Sequence, residues 1–560
     1  MGGQDKTVLV VGCGIAGLCA TLECARRGLK VILVAPNHSE RAQSVMAAGG
    51  INAVLPEGDP TDSTHAHALD TLKGGCFLES LQTLEAFCAR APETVRWLEE
   101  LGVVFSRNAD GSLAQRAFGG QSHRRTVYAG SSTGKQVVTA LVSACRQEEA
   151  RGNVVFRSGM HFHSALVAAG LCHGALLFAE GPRCLEPVYA DFTIMATGGA
   201  NRLFGKTTGS LLCDGYATGR LLEQGVTLRN LEFIQYHPTT VETSHKRMLV
   251  TEAARGEGGR LYYLEGGERV YFMEERYGPR GNLMPRDIVA RAIHEAPSQV
   301  YLDISFLGSR LIDERLGEVY ELCRDYLDLD VCRQSIPVAP SVHFFMGGID
   351  VDDDHQTSVE RLYAVGECAS KYHGANRLGG NSLLACATSG RIAAAHCASR
   401  PALPDAAADL ERRFEGFVAE QRQQLERLKA SRSTFPALYL EQQLAEAMNA
   451  AMGISRSREC LEEGLASLEF LADAAHKINF DAGVSLYENF RLGPMVLLAQ
   501  ASVMSALARE ETRGAHIRSD FPETRTEYAR SSLVSCTQGK LELSWRTENE
   551  EADKDHARDY

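Results

Sequence analysis

The stretch from Thr7 to Arg27 restricts the fold more than any other part of this chain. A short apolar run, Thr7–Val11, leads into Gly12-Cys13-Gly14-Ile15-Ala16-Gly17, then an Ala- and Leu-rich segment, then a second apolar run over 30–34. Strand, glycine turn, helix and strand in that order are what a dinucleotide fingerprint requires. The glycines let the backbone turn tightly and approach a pyrophosphate, and open amides at the helix start attract it. The fold class is therefore α/β, built on a Rossmann-like unit. The acid that normally follows the second strand and holds a ribose of NAD is replaced by Ala35-Pro36-Asn37, so the fingerprint reads as an FAD site.

At 560 residues the chain is too long for one hydrophobic core. Its apolar and charged fractions, 44% and 23%, are those of an ordinary globular protein. A formal net charge of −13 argues against a nucleic-acid partner, although a local cluster of Arg and His can still hold a small anion. The 16 cysteines contain no C-x-x-C, which speaks against zinc ribbons and iron–sulfur ligation, so no metal is expected. Cys13, Cys19 and Cys24 read as small core residues of the first βαβ unit in a reducing, cytoplasmic compartment. No signal-peptide pattern stands at the start, and no apolar run approaches the ~18 residues of a membrane span.

Further along, Gly-containing apolar stretches recur at 44–54, at Phe118-Gly119-Gly120-Gln121 and at Ala196-Thr197-Gly198-Gly199, the last at the end of a buried strand, Phe192–Met195. Between 232 and 343 the composition turns polar and rich in Gly, His and Arg, as an inserted domain would be. Leu362-Tyr363-Ala364-Val365-Gly366-Glu367 is again a buried strand, returning to the first domain. From 405 to about 509 the pattern is helical, with Leu410, Phe414, Phe417, Leu425 and Leu428 at three- to four-residue intervals. The expected organisation is an FAD-binding domain (1–230 and 341–404), an inserted α+β capping domain (231–340), a helical domain (405–509) and a small C-terminal segment (510–560). The charged end, 547–560, is expected to fray.

The densest chemistry lies at 373–384, His-Gly-Ala-Asn-Arg-Leu-Gly-Gly-Asn-Ser-Leu-Leu. Glycines, amides and one guanidinium before a helix suit a carboxylate or phosphate, though a Gly-rich turn with a surface Arg explains the stretch as well. Four more clusters carry similar groups: 236–239 with His237, 251–259 with Thr251, Glu252 and Arg255, 285–287 with Arg286, and 342–348 with His343. Alone, each has a structural explanation. With Arg377 they place three arginines and two histidines in a chain that carries a flavin fingerprint.

These motifs, with Ala47-Ala48-Gly49-Gly50-Ile51, Gly366-Glu367 and Arg513-Gly514-Ala515-His516, occur in an order that resembles the flavoprotein subunits of succinate dehydrogenases and fumarate reductases, in the wider family that includes L-aspartate oxidase. The spacing of Glu367 and Arg377, and the stretches at 271–275 and 281–286, are most similar to the dihaem, menaquinone-linked branch. The resemblance implies FAD along Gly12, Gly14, Ala16, Gly17, Ser44, Ala48, Gly49, Gly50, Ala196, Thr197, Gly198, Asp214, Glu367, Ser382 and Leu383. It implies a dicarboxylate, fumarate or succinate, held by His237, Thr251, His343 and Arg377 with Phe118 and the Gly119 backbone nearby. Hydride would pass at flavin N5, and Arg286 would move the proton, supplied through Glu252 and Arg255. The implied partners are a membrane cytochrome b or quinone anchor and an iron–sulfur subunit, which places the chain peripherally on the cytoplasmic face of the inner membrane.

Two departures qualify these expectations. Where covalently flavinylated members carry the flavin-linking His, this chain has Gln43, so FAD is expected to be non-covalent, which favours fumarate reduction in anaerobic respiration over succinate oxidation. L-aspartate oxidases also lack that His, but they place an acid where Phe118 stands. Phe cannot pair a substrate ammonium, so the dicarboxylate reading leads and an aspartate oxidase is the alternative. A soluble fumarate reductase with another electron donor, or a redox-inactive FAD-binding assembly factor, are further alternatives. The last conflicts with the presence of Arg286, Glu252, Arg255 and both histidines.

Overall fold

The structure is a computed structural model that describes residues 6–548 except 131, 245, 405–406, 433–434 and 482. The expected frayed end therefore lies almost wholly outside the described residues. The fingerprint strand Thr7–Val11 sits in the middle of a five-stranded parallel sheet, between Phe192–Met195 and Lys30–Ala35, with Leu362–Ala364 and Val154–Ser158 at the edges. Val8, Leu9 and Val10 are fully buried. Both faces of this strand are covered, so its sequence reads as an unbroken apolar run rather than an alternation.

The chain leaves that strand at Gly12 with φ +112°, and a Cβ there would stand 2.2 Å from the Ala196 carbonyl oxygen. Gly17, one turn into the helix Ile15–Arg26, packs as closely: a Cβ would lie 1.9 Å from the Gly12 carbonyl oxygen. The helix thus starts almost in contact with the ends of two strands. A three-stranded antiparallel sheet, Met160–Ala168, Leu171–Ala179 and Cys184–Tyr189, covers the parallel sheet with Ala175, Leu176, Leu177 and Phe178 fully buried.

The polar middle of the chain builds a six-stranded antiparallel sheet in the order Arg247–Leu249, Ile234–Glu242, Ile336–Phe345, Val300–Asp303, Arg260–Glu265 and Glu268–Val270. Helices Phe272–Tyr277, Arg286–His294 and Ser309–Leu327 accompany it. The strand Ile336–Phe345 runs straight through position 341, so the sheet carries His343 back to the glycine-rich side of the molecule.

The C-terminal half packs helices Ala407–Ala430, Ala437–Ala451, Arg458–Ala475, Leu486–Phe490 and Leu492–Ala508. Leu410, Phe414 and Leu425 are buried, and Phe417 and Leu428 half-buried against the same core. The strands Ser531–Thr537 and Lys540–Arg546 form a hairpin whose turn residues, Gln538 and Gly539, both have positive φ. This is the turn geometry that matches strand twist. The hairpin joins Leu228–Arg229, Gly348–Asp350 and Ala369–Ser370 in a second five-stranded sheet. Among the described residues no helix is long and apolar enough to cross a membrane.

The close contact at Gly17 predicts that Gly17→Ala destabilises the apoprotein by ~3 kcal/mol or more, because backbone must move to admit the methyl. Gly416→Ala, on an exposed helix face with open space around it, should instead stabilise by about 1 kcal/mol. Thermal melts of both variants check the pair.

Candidate functional site

A single cavity of about 680 Å³ runs from the fingerprint to the His- and Arg-rich clusters. Of the residues expected at a cofactor, Gly12, Gly14, Ala16, Ser44, Ala48, Gly49, Gly50, Ala196, Thr197, Gly198, Asp214, Glu367, Ser382 and Leu383 all line it. Gly17 does not; it serves the packing of helix on strand. Cys13, read from the sequence as a core residue, also lines the cavity and donates to the Asn37 carbonyl at 3.3 Å, whereas Cys19 and Cys24 are fully buried. The strand ends at Val11, so its next side chain faces the opening rather than the core.

Two helix N-termini open into this space. One belongs to Ile15–Arg26, beginning at Gly14, and the other to Asn381–Ser399, beginning at Gly380 in the left-handed region. The opening amide of each is taken, Ile15 by Ser44 Oγ at 3.1 Å and Asn381 by the Leu378 carbonyl at 3.3 Å, and each turn presents the positive end of a helix dipole to the cavity. The first suits a pyrophosphate and the second the electron-rich edge of a flavin. Thr197 Oγ1 is buried in the wall without a partner, and small residues let the backbone come close throughout. The cradle fits FAD. Glu367 accepts from the Phe345 amide at 3.1 Å, and its burial raises its carboxyl to about 7.

At the other end of the cavity stand Phe118, His237, Thr251, Glu252, Arg286, His343 and Arg377. Adjacent antiparallel strands present the two histidines, whose ring centroids are 5.1 Å apart. Burial comes first, then the neighbouring Arg286, in pushing both imidazoles well below their ordinary pKa. Neutral rings can donate a hydrogen bond without adding charge. His237 Nε2 is buried with no partner, aimed at the space a ligand would take.

Glu252 organises the cations. Its Oε2 accepts from Arg286 Nε at 2.8 Å and Nη2 at 2.7 Å, and its Oε1 accepts from the Gly119 amide at 2.7 Å. Arg255 stands behind it, 3.8 Å away, and donates to the Asn282 carbonyl. Burial would raise the Glu252 carboxyl, but Arg286 and Arg255 outweigh it and hold the group below its ordinary value. Three guanidiniums, those of Arg255, Arg286 and Arg377, thus gather near the ionised Glu252, and Arg377 also faces Glu367, whose carboxyl is raised. The cluster keeps an excess of positive charge, which suits an anion. Burial, then Arg286, pushes Arg377 down to about 9, so an anion beside it would be welcomed.

Two placements differ from the expectation. The Gly119 amide is taken by Glu252 and does not line the cavity. Arg255, expected with Glu252 on the proton route, stands behind the wall within reach of Glu252. Gln235 has no role in the reading of the sequence, yet its Oε1 accepts from Arg286 Nη1 at 3.0 Å and Arg377 Nη2 at 3.1 Å. Its Nε2 donates to Asn376 Oδ1 and the Arg377 carbonyl. A signal for it exists in the sequence: Gln235 and His237 are two apart on one strand and share a face. Gln43 lines the cavity in a one-turn 3₁₀ segment, Gln43–Met46.

With this geometry, the comparisons with known proteins agree. A family model described as FAD binding domain matches residues 7–383, and one described as Fumarate reductase flavoprotein C-term matches 441–560. The succinate dehydrogenase flavoprotein subunit of Bacillus subtilis is 34% identical, over 93% of this chain and 92% of its own. One subunit of the fumarate reductase (CoM/CoB) of Methanothermobacter marburgensis is 36% identical, over 94% and 96%. A solved quinol–fumarate reductase with menaquinol molecules superposes with a TM-score of 0.88 at 30% identity, over 97% of this chain and 98% of its own. The chain belongs to the succinate dehydrogenase and fumarate reductase flavoprotein family and is an FAD-dependent oxidoreductase.

Proposed function

We propose that this chain interconverts fumarate and succinate and that fumarate reduction is the favoured direction. The observation that carries the reading is the cluster of Arg286, Arg255 and Arg377 around Glu252, with two neutral histidines, at one end of an FAD-sized cavity. FAD supplies or accepts the hydride when bound. His237, Thr251, His343 and Arg377 hold the two carboxylates, and their pull on the substrate's electrons favours hydride addition to one alkene carbon. Arg286 delivers a proton to the adjacent carbon. A free guanidinium holds its proton too firmly for this, but Arg286 is fixed against Glu252, which returns the proton by way of Arg255. Phe118, buried against Gly49 and Gly379, excludes water from the junction of the two ligands.

Gln43 offers no ring nitrogen to the flavin, which supports non-covalent FAD and a lower potential, hence the reducing direction. We read 1–230 with 341–404 as the cofactor domain, 231–340 as the cap, 405–509 as the helical domain and 510–560 as the C-terminal segment. A membrane cytochrome b or quinone anchor and an iron–sulfur subunit are the proposed partners, docking the chain on the cytoplasmic face of the inner membrane.

Acid precipitation should leave the polypeptide colourless and FAD in the supernatant; flavin retained by the precipitate would refute non-covalent attachment. Purified holoprotein should oxidise a reduced dye with fumarate as acceptor. Peroxide formation from aspartate without that activity would favour an aspartate oxidase. Arg286→Ala should lower fumarate reduction by ~10²–10⁴-fold with FAD retained. The buried pair also has a stability signature. Arg286→Ala alone should cost ~3–5 kcal/mol because Glu252 loses its nearest counter-charge, and Glu252→Gln alone should cost at least as much, because it strands both Arg286 and Arg255, as thermal melts of the two variants check.

A further inference from the structure

The cavity wall includes residues from the helical region that neither the fingerprint nor the dicarboxylate cluster explains: Ser485, Tyr487, Glu488 and Arg491. Tyr487 is held in place from several sides. Ser485 caps the short helix Leu486–Phe490 by accepting from the Glu488 amide at 3.1 Å, while the Glu488 side chain accepts from the Ser485 amide at 3.1 Å. Arg491 is anchored by a two-point ion pair to Glu441, which also takes Arg202. From this scaffold the Tyr487 hydroxyl donates to Asp214 Oδ2 at 2.7 Å, and its ring stacks on His161 with centroids 3.9 Å apart. Asp214 Oδ1 accepts from the Tyr216 amide at 3.0 Å. Asp214 lines the cavity, and each of its carboxylate oxygens, with one donor so far, has capacity for another.

The position of this cluster relative to a bound dinucleotide follows from the strand order. In a fingerprint fold the adenosine lies past the end of the second strand. Here that end is Ala35-Pro36-Asn37, and the Pro36 carbonyl accepts from the Gly159 amide at 3.3 Å. Met160, His161 and Phe162 follow at once and line the cavity, so the His161–Tyr487 stack flanks its adenosine half. The acid that usually binds a ribose is absent after that strand; of the carboxylates on this wall, Glu488 is taken by the Ser485 amide and Arg491, and Asp214 is the one held by Tyr487.

We infer that the helical region completes the cofactor site: Tyr487 positions Asp214 and, stacked on His161, walls the adenosine half of FAD. Tyr487 is thus a positioning residue, acting through Asp214, and FAD affinity depends on a segment more than 250 residues beyond it in sequence. The inference extends the non-covalent reading, but it is tested with ligands whose binding does not depend on how flavin is attached.

Apoprotein from riboflavin-starved cells would be titrated with FAD, ADP and FMN, for wild type, Tyr487→Phe, Asp214→Asn and the double variant. Tyr487→Phe keeps the ring and removes one hydroxyl. It should weaken FAD and ADP together by about tenfold, the loss of one charge-assisted hydrogen bond, and leave FMN, which lacks the adenosine half, unchanged. The double variant should bind ADP no more weakly than Asp214→Asn. Wild-type ADP affinity in Tyr487→Phe, or equal losses for ADP and FMN, would overturn the inference, as would fully additive effects of the two substitutions. Flavin retained on acid precipitation of holoprotein would refute only the non-covalent reading.

Discussion

The site depends on one buried carboxylate. Glu252 is the counter-charge that lets Arg286 and Arg255 leave water, and a guanidinium buried without such a partner costs several kcal/mol. It also joins its own short segment, with Arg255 three residues on, to two stretches far from it in the chain: the Gly119 loop through a backbone amide and the Arg286 helix through two donors. Moving any one of these alters the other two. Because the arginines outnumber the carboxylate, the cluster holds a buried excess of positive charge, which in the proposed function the substrate dianion balances.

The cofactor end rests on a different device, close approach of backbone. Two helices begin at glycine-lined turns on the same cavity, and the small residues around them leave amides rather than side chains at the surface. The second helix start is secured from below by a buried polar network. Asn52 Nδ2 donates to the Gly379 carbonyl and to Asn381 Oδ1, Gln121 Nε2 donates to Asn52 Oδ1, and Asn381 Nδ2 donates to Thr71 Oγ1. Gln121 Oε1 has no partner, but the bonds that are made favour one geometry, because a shift would leave more buried groups unpaired. Arg377 and Ser382 sit at opposite ends of the loop so fixed. One short stretch of chain therefore lines the His- and Arg-rich end of the cavity with its first half and the glycine-lined end with its second.

What could be read from residue order follows the range of the interactions concerned. The fingerprint, the helix capped by Ser485, the turn at Gln538-Gly539 and the amphipathic spacing around Phe414 are local, set by neighbours within a few positions. The strand Leu362–Ala364 was legible as buried but not its seat beside Phe192–Met195, because the sheet is assembled from segments more than 150 residues apart. The C-terminal hairpin is local, but the seat of its strand Ser531–Thr537 beside Leu228–Arg229 was hidden for the same reason.

The sequence by itself determined the α/β class, the FAD, the family and the residue types of the site, since each is carried by short motifs whose chemistry is intrinsic. Only the tertiary structure decided which groups face the ligand. It put Cys13 on the cavity wall as well as against the core, drew the Gly119 amide to Glu252, made Gln235 the shared acceptor of two guanidiniums and brought Tyr487 to Asp214. These are contacts through space between distant segments. A hydrogen bond depends on fractions of an ångström and on direction, and no spacing along the chain specifies either.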